Sequence, residues 1–276
     1  MALDQQHDMD NDEEMGFLDH LEELRWHLMR SFAAVFVFAI GAFLAKDFFW
    51  NVLIIGPTQS DFWTYRKLCE LSSLINIPAL CIDEMNIVLQ NRTLQGQFMV
   101  HIKTSVVAGL VLGFPYTFWE IWRFVKPGLK KNERNASRGV TFVVTLLFLL
   151  GIGFGYFIIT PISVNFLWNY QLSESIQNIP DVSNVLGLVA AVALASGLLF
   201  QLPVVSYMLS KAGIVTPGLM KRYRKHSFVV ILLLSAIITP PDVISQILIA
   251  LPLTLLYEVS IVISRRVNKK REKALA

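Results

Sequence analysis

Polar and apolar positions are segregated along this chain on two scales. On the coarse scale, no Asp, Glu, Lys or Arg occurs from Gly139 to Ser173, nor from Val182 to Ser210. A bilayer core about 30 Å thick is crossed by about 20 apolar helical residues, so these runs read as membrane spans. The same pattern predicts six spans: Phe32–Ala45, Thr104–Phe118, Val140–Ile159, Leu186–Leu209, Phe228–Ile238 and Val243–Ile263, with room for the first two and the fifth to extend a turn into their polar flanks. Backbone groups in lipid must be satisfied internally, which makes each span a helix. The predicted fold class is an all-α polytopic membrane protein, a single membrane domain over residues 1–276. On the fine scale, residues 17–31 read FLDHLEELRWHLMRS. Phe17, Leu21, Leu24 and Leu28 form one stripe of a helix, with Asp19, Glu22, Glu23 and Arg25 mainly off it.

The last two spans are predicted to be short. Between Ser227 and Tyr257 only Asp242 is charged, and that interval holds two helices and their turn. Each half offers about 15 residues, about 22 Å of helix, which is less than a bilayer core. The turn reads TPPDVISQ, Thr239 to Gln246, in which Pro240 and Pro241 stop one helix and Asp242 caps the next.

Charge then orients the spans. Lys and Arg number 19 in residues 1–30, the loops after spans two and four, and the tail 265–276, against 5 in the loop 46–103. Cationic loops stay cytoplasmic, so both termini are expected inside and the loop 46–103 exported. The first fifteen residues are acidic and lack an apolar core, unlike a cleavable signal peptide. Cys69 and Cys81 fall in the exported loop, where a disulfide persists; a bridge and two free thiols both fit the sequence. No His or further Cys accompanies them, which argues against a metal site.

Candidate chemistry is sparse. No His pair at ligand spacing and no Ser-His-Asp order stands out, so neither an enzyme nor a cofactor is expected. GIGFG at Gly151–Gly155 lies inside a span, where small residues let helices approach closely. Gln201 is the one clearly intramembrane amide, and Glu258 lies near the cytoplasmic end of the last span. Ion-coupled transporters normally keep acids or bases at depth, and their near absence argues against a small-solute transporter. Two acidic features remain. The stretch 17–31 reads either as an interfacial helix with solvated charges or as an acidic functional site. Glu133, in WRFVKPGLKKNERNASRG, reads as a local ion pair with Lys130 or Arg134, worth about 0.2–1 kcal/mol if exposed.

HLEELRWHL, then FPYTFWEIWRFVKPGLKKNER, then TPPDVISQ together resemble the TatC family, the multispanning subunit of the twin-arginine protein translocase. The resemblance covers nearly the whole chain, least in the first exported loop. It implies a receptor and scaffold in the cytoplasmic membrane for folded cargo whose signal peptides carry paired arginines. It also implies single-span TatA/TatB-type partners, other copies of itself, transport driven by the proton-motive force, and no nucleic acid. Residue by residue, it places Glu23 and Glu133 on the arginine pair, with Arg25, Phe124 and Lys103 in the signal-peptide surface. Pro57 matches a proline of the first exported loop, less firmly because the loop lengths differ. Many relatives carry glutamate where this chain has Gln201.

Overall fold

A computed structural model describes residues 17–75, 81, 87–125, 139–173, 175, 178–239 and 243–275. Its ten main helices are α1 (Phe17–Leu44), α2 (Trp63–Ile75), α3 (Gly96–Val125), α4 (Val140–Phe154), α5 (Thr160–Asn169), α6 (Val182–Leu199), α7 (Leu202–Lys211), α8 (Pro217–Arg222), α9 (Arg224–Ile238) and α10 (Val243–Leu275). A π-helical turn, Gly155–Ile159, fuses α4 to α5, and a break at Phe200–Gln201 separates α6 from α7. Among the described residues the sole extended pairing is an isolated bridge between Gln90 and Asp181.

Among the described residues five stretches are long and apolar enough to cross a membrane: Leu21–Leu44, Gly96–Val125, Val140–Asn169, Val182–Lys211 and Ser245–Lys270. The sixth predicted span is α9, with 15 residues, or about 22 Å. Its partner α10 runs for 33 residues, so the basic tail expected from Arg265 continues the helix beyond its apolar part.

Helix contacts follow the small residues. A side chain at Gly109 would lie 2.7 Å from the Val35 carbonyl, and one at Gly151 would lie 2.6 Å from the Ser196 carbonyl. These glycines let the α1 and α3 backbones, and those of α4 and α6, approach closely. Phe114 stacks on Phe148 at 3.6 Å, joining α3 to α4. Ile159, Val192, Ile231, Ile249 and Leu253 form a core shared by the π turn, α6, α9 and α10. Hydroxyl pairs add polar ties to α10: Ser210 to Ser264 at 2.7 Å and Ser163 to Ser245 at 3.2 Å.

The loop between the first two spans folds into a cap. Pro57 is buried in a 3₁₀ turn, Gly56–Thr58. The Tyr65 hydroxyl lies 2.9 Å from the carbonyls of both Pro57 and Pro161, and Thr64 donates to the Phe157 carbonyl. Burial pushes the Tyr65 phenol well above the usual range. A disulfide joins Cys69 to Cys81.

Of the turn TPPDVISQ, Pro240, Pro241 and Asp242 lie outside the described residues. Thr239 is buried and donates to the Ser235 carbonyl at 2.8 Å. The Gln246 amide donates to the Leu232 carbonyl at 3.2 Å, tying α10 to α9.

Candidate functional site

The stretch 17–31 is not a separate surface helix; it is the first half of α1, which runs unbroken into the span. Its apolar stripe and its polar face are arranged against simple expectation. Leu21, Leu24 and Leu28 are exposed, while His27 and Ser31 are buried against α3. The leucine stripe faces away from the other helices, and the polar edge turns inward. Burying polar groups costs free energy unless they are hydrogen-bonded, and the partner comes from α3.

That partner is Glu120, whose side chain is 1% exposed. His27 Nδ1 donates to Glu120 Oε2. The Tyr116 hydroxyl donates to Glu120 Oε1 at 2.9 Å, and Arg30 Nη1 lies 3.7 Å from Oε2. The other imidazole nitrogen, His27 Nε2, lies 3.8 Å from Glu23 Oε1. Glu23 itself is 38% exposed at the side chain. Its Oε2 is turned inward and has no hydrogen-bond partner among the described residues. The Phe124 ring centre lies 6.1 Å from that of His27, and Arg123 lies over the Trp119 ring at 5.6 Å.

The structure therefore sets Glu23 and Phe124 on either side of His27, and Arg25 is exposed. Glu133 falls outside the described residues. Lys103 is on α3 but 17 positions before Glu120, about 25 Å away along the helix. It belongs to the other end of the span, near His101, whose ring stacks on Phe43 at 4.0 Å.

Gln201 sits in the break between α6 and α7. Its amide nitrogen lies 3.3 Å from the Val144 carbonyl and 3.4 Å from that of Gly197, and its Oε1 is buried without a partner among the described residues.

Glu120 was not singled out by the sequence. The second span was expected to end at Phe118 or about a turn beyond it, and ionisable groups inside spans were expected to be nearly absent. The helix instead continues to Val125, placing a buried carboxylate in its last turns. Two signals pointed to it: an acid inside the aromatic run WEIW, and a histidine four positions after Glu23 needing a partner.

Between α3, α4 and α6 lies an apolar groove of about 360 Å³, lined in part by Ile54, Ala108, Val111, Ile152 and Val189. Along α3 it starts at Leu112, 8 positions or about 12 Å of helix from Glu120. Among the described residues no group of three or more His, Cys, Asp or Glu is arranged to hold a metal.

Comparison with known proteins agrees with this architecture. The family described as Sec-independent protein translocase protein (TatC) matches residues 19–252. The Sec-independent protein translocase protein TatC of Blattabacterium sp. subsp. Periplaneta americana is 38% identical over 260 residues, covering 94% of this chain and 98% of the relative. The protein of that name from Helicobacter pylori is 34% identical over 249 residues, covering 90% and 87%. A crystal structure of twin arginine translocase receptor TatC in DDM superposes with a TM-score of 0.70 at 28% identity, covering 89% of this chain and 99% of that one.

Proposed function

Because the chain belongs to the TatC family, a component of a protein translocase rather than an enzyme, we propose that its Glu23 end is where twin-arginine signal peptides dock. The observation that carries this reading is Glu23 itself, a carboxylate whose side chain is 38% exposed beside the buried His27–Glu120 pair. A guanidinium presents a planar fork that engages a carboxylate with two parallel hydrogen bonds, whereas an ammonium offers a point charge. Glu133 is the second acid of this reading, with Arg25 and Phe124 at its margin and Lys103 at the far end of α3. Such charge-assisted bonds contribute about 1.5–3 kcal/mol each when partly desolvated. Micromolar binding needs about 8 kcal/mol.

The remainder comes from the apolar part of the signal. A segment following the arginine pair and running along α3 reaches the groove at Leu112 and Val111 after about 8 helical residues. The acids select, and the groove anchors.

In the cell, the protein exports folded cargo across the cytoplasmic membrane, drawing on the proton-motive force. Both termini face the cytoplasm, in keeping with the bias of Lys and Arg. Single-span TatA/TatB-type subunits and further copies of the chain complete the translocase. The short α9 supplies a docking and membrane-thinning edge for those subunits.

The test is peptide binding to the full chain in nanodiscs. A paired-arginine signal peptide should bind at least about tenfold more tightly than its di-lysine version, equivalent to about 1.4 kcal/mol. Glu23→Gln with Glu133→Gln should erase that preference and leave the weaker, groove-dependent binding. Equal binding of both peptides to the unaltered chain would remove this reading.

A further inference from the structure

Resting on the reading of Glu23 as an arginine-binding carboxylate, a second property follows from what stands behind it. His27 has a carboxylate on each side: Glu120 Oε2 in contact with Nδ1, and Glu23 Oε1 at 3.8 Å from Nε2. A neutral imidazole carries one N–H, and only the imidazolium offers a donor to both sides at once. At 3.8 Å the Nε2–Oε1 separation is an ion-pair distance rather than a hydrogen bond, so an imidazolium faces, from inside, the same carboxylate that a guanidinium would take from outside.

We propose that His27 is a positioning residue of the arginine site, a cation shared by Glu23 and Glu120 that gives up its proton when a guanidinium engages Glu23. In the free protein, the imidazolium holds Glu23 in place and offsets its charge. When the signal's arginine arrives, the two cations face each other across one carboxylate. The Nε2 proton leaves to water, and Nδ1–H remains on Glu120. Glu120 is not abandoned by this step. Arg30 stays 3.7 Å from its Oε2, and the Tyr116 hydroxyl keeps its bond to Oε1.

Among the described residues, the charged and titratable groups facing His27 are Glu23 and Arg30 from α1 and Glu120 from α3, with Tyr116 bonded to Glu120 and Arg123 near Tyr116 on α3. Histidine is the side chain that ordinarily changes charge between about pH 5 and 8.

The sign follows from linkage. A ligand that binds the deprotonated form releases a proton, so its affinity rises with pH. One released proton corresponds to at most about tenfold in affinity per pH unit, levelling off once His27 is already neutral in the free protein.

The test is calorimetric titration of the full chain in nanodiscs, from about pH 5.5 to about pH 8.5. The probe is a blocked paired-arginine peptide without histidine, used in two buffers of different ionisation enthalpy. The expected result is release of up to about one proton on binding and tighter binding as pH rises. His27→Gln combined with Glu120→Gln removes both charges of the buried pair. That variant should bind without proton release, and its affinity should be flat over the same pH range.

A second readout avoids any variant. The imidazole ¹⁵N shifts of His27 should move on peptide addition from the imidazolium pattern to that of the Nδ1–H tautomer. Proton release unchanged in the double variant, or imidazole shifts that do not move, would overturn the proposal. Arginine-selective, Glu23-dependent binding that is flat with pH would refute the role of His27 and leave the docking site standing. Arginine preference that persists in Glu23→Gln would remove the docking site instead.

Discussion

Replacing Tyr65 by Phe removes one hydroxyl and nothing else, which makes it a clean probe of the cap. That hydroxyl lies 2.9 Å from two carbonyl oxygens, and burial keeps it protonated well beyond neutral pH. Leaving buried carbonyls without a donor costs about 1–3 kcal/mol, so Tyr65→Phe should lower the thermal midpoint of the full chain in nanodiscs. An unchanged midpoint would mean that water replaces the hydroxyl. The residues around Glu23 show how far single positions were legible in advance. Glu23 and Phe124 were found through motif resemblance, and the structure sets them within one cluster. Glu120 went unseen because its significance lies in three side chains from two helices, His27, Arg30 and Tyr116. Only Tyr116 shares its helix. The acid in WEIW and the histidine after Glu23 were each visible, but a separation of 93 positions hid that they pair.

At the scale of elements, the charge-free runs identified where helices cross but not where they end. Apolar content marks the lipid-facing length of a span. Helix hydrogen bonding is indifferent to polarity and carried α1 and α3 several turns past their apolar limits. The amphipathic stripe in 17–31 was visible, yet its sense depended on the surroundings. Next to lipid, the leucines face out and the polar edge becomes the packing face. Close helix approach was legible in GIGFG, and the α1–α3 contact rests on the same device at Gly109. Adding a Cβ there meets Ala39 and the Val35 backbone at 2.7–2.8 Å. Gly109→Leu should push the two helices apart, drawing His27 from Glu120. The expected outcome is a lowered melting temperature together with weakened paired-arginine binding. Gly187, whose Cβ would meet nothing within 4 Å, should accept Ala with little change in either measurement.

At the scale of the whole molecule, α9 and α10 form an edge whose outer side is apolar. Ile237 is 72% exposed and Ile247 54%, whereas Ile249 is turned into the core at 2%. A photo-crosslinker at Ile237 should therefore capture a single-span subunit in native membranes, and one at Ile249 should not. Capture from neither position would move the docking edge elsewhere. The cap described above has a further consequence, for the order in which the molecule is made. Thr64 and Tyr65 depend on carbonyls that come 93 and 96 positions later in the chain. At about 5–20 residues per second of synthesis, those acceptors follow after about 5–20 s. During that interval, the segment after α1 is already made but lacks the ledge on which it later rests. A nascent chain halted before Phe157 would present it to proteases as an open loop. Resistance to cleavage in that segment would then serve as a clock for arrival of the third span.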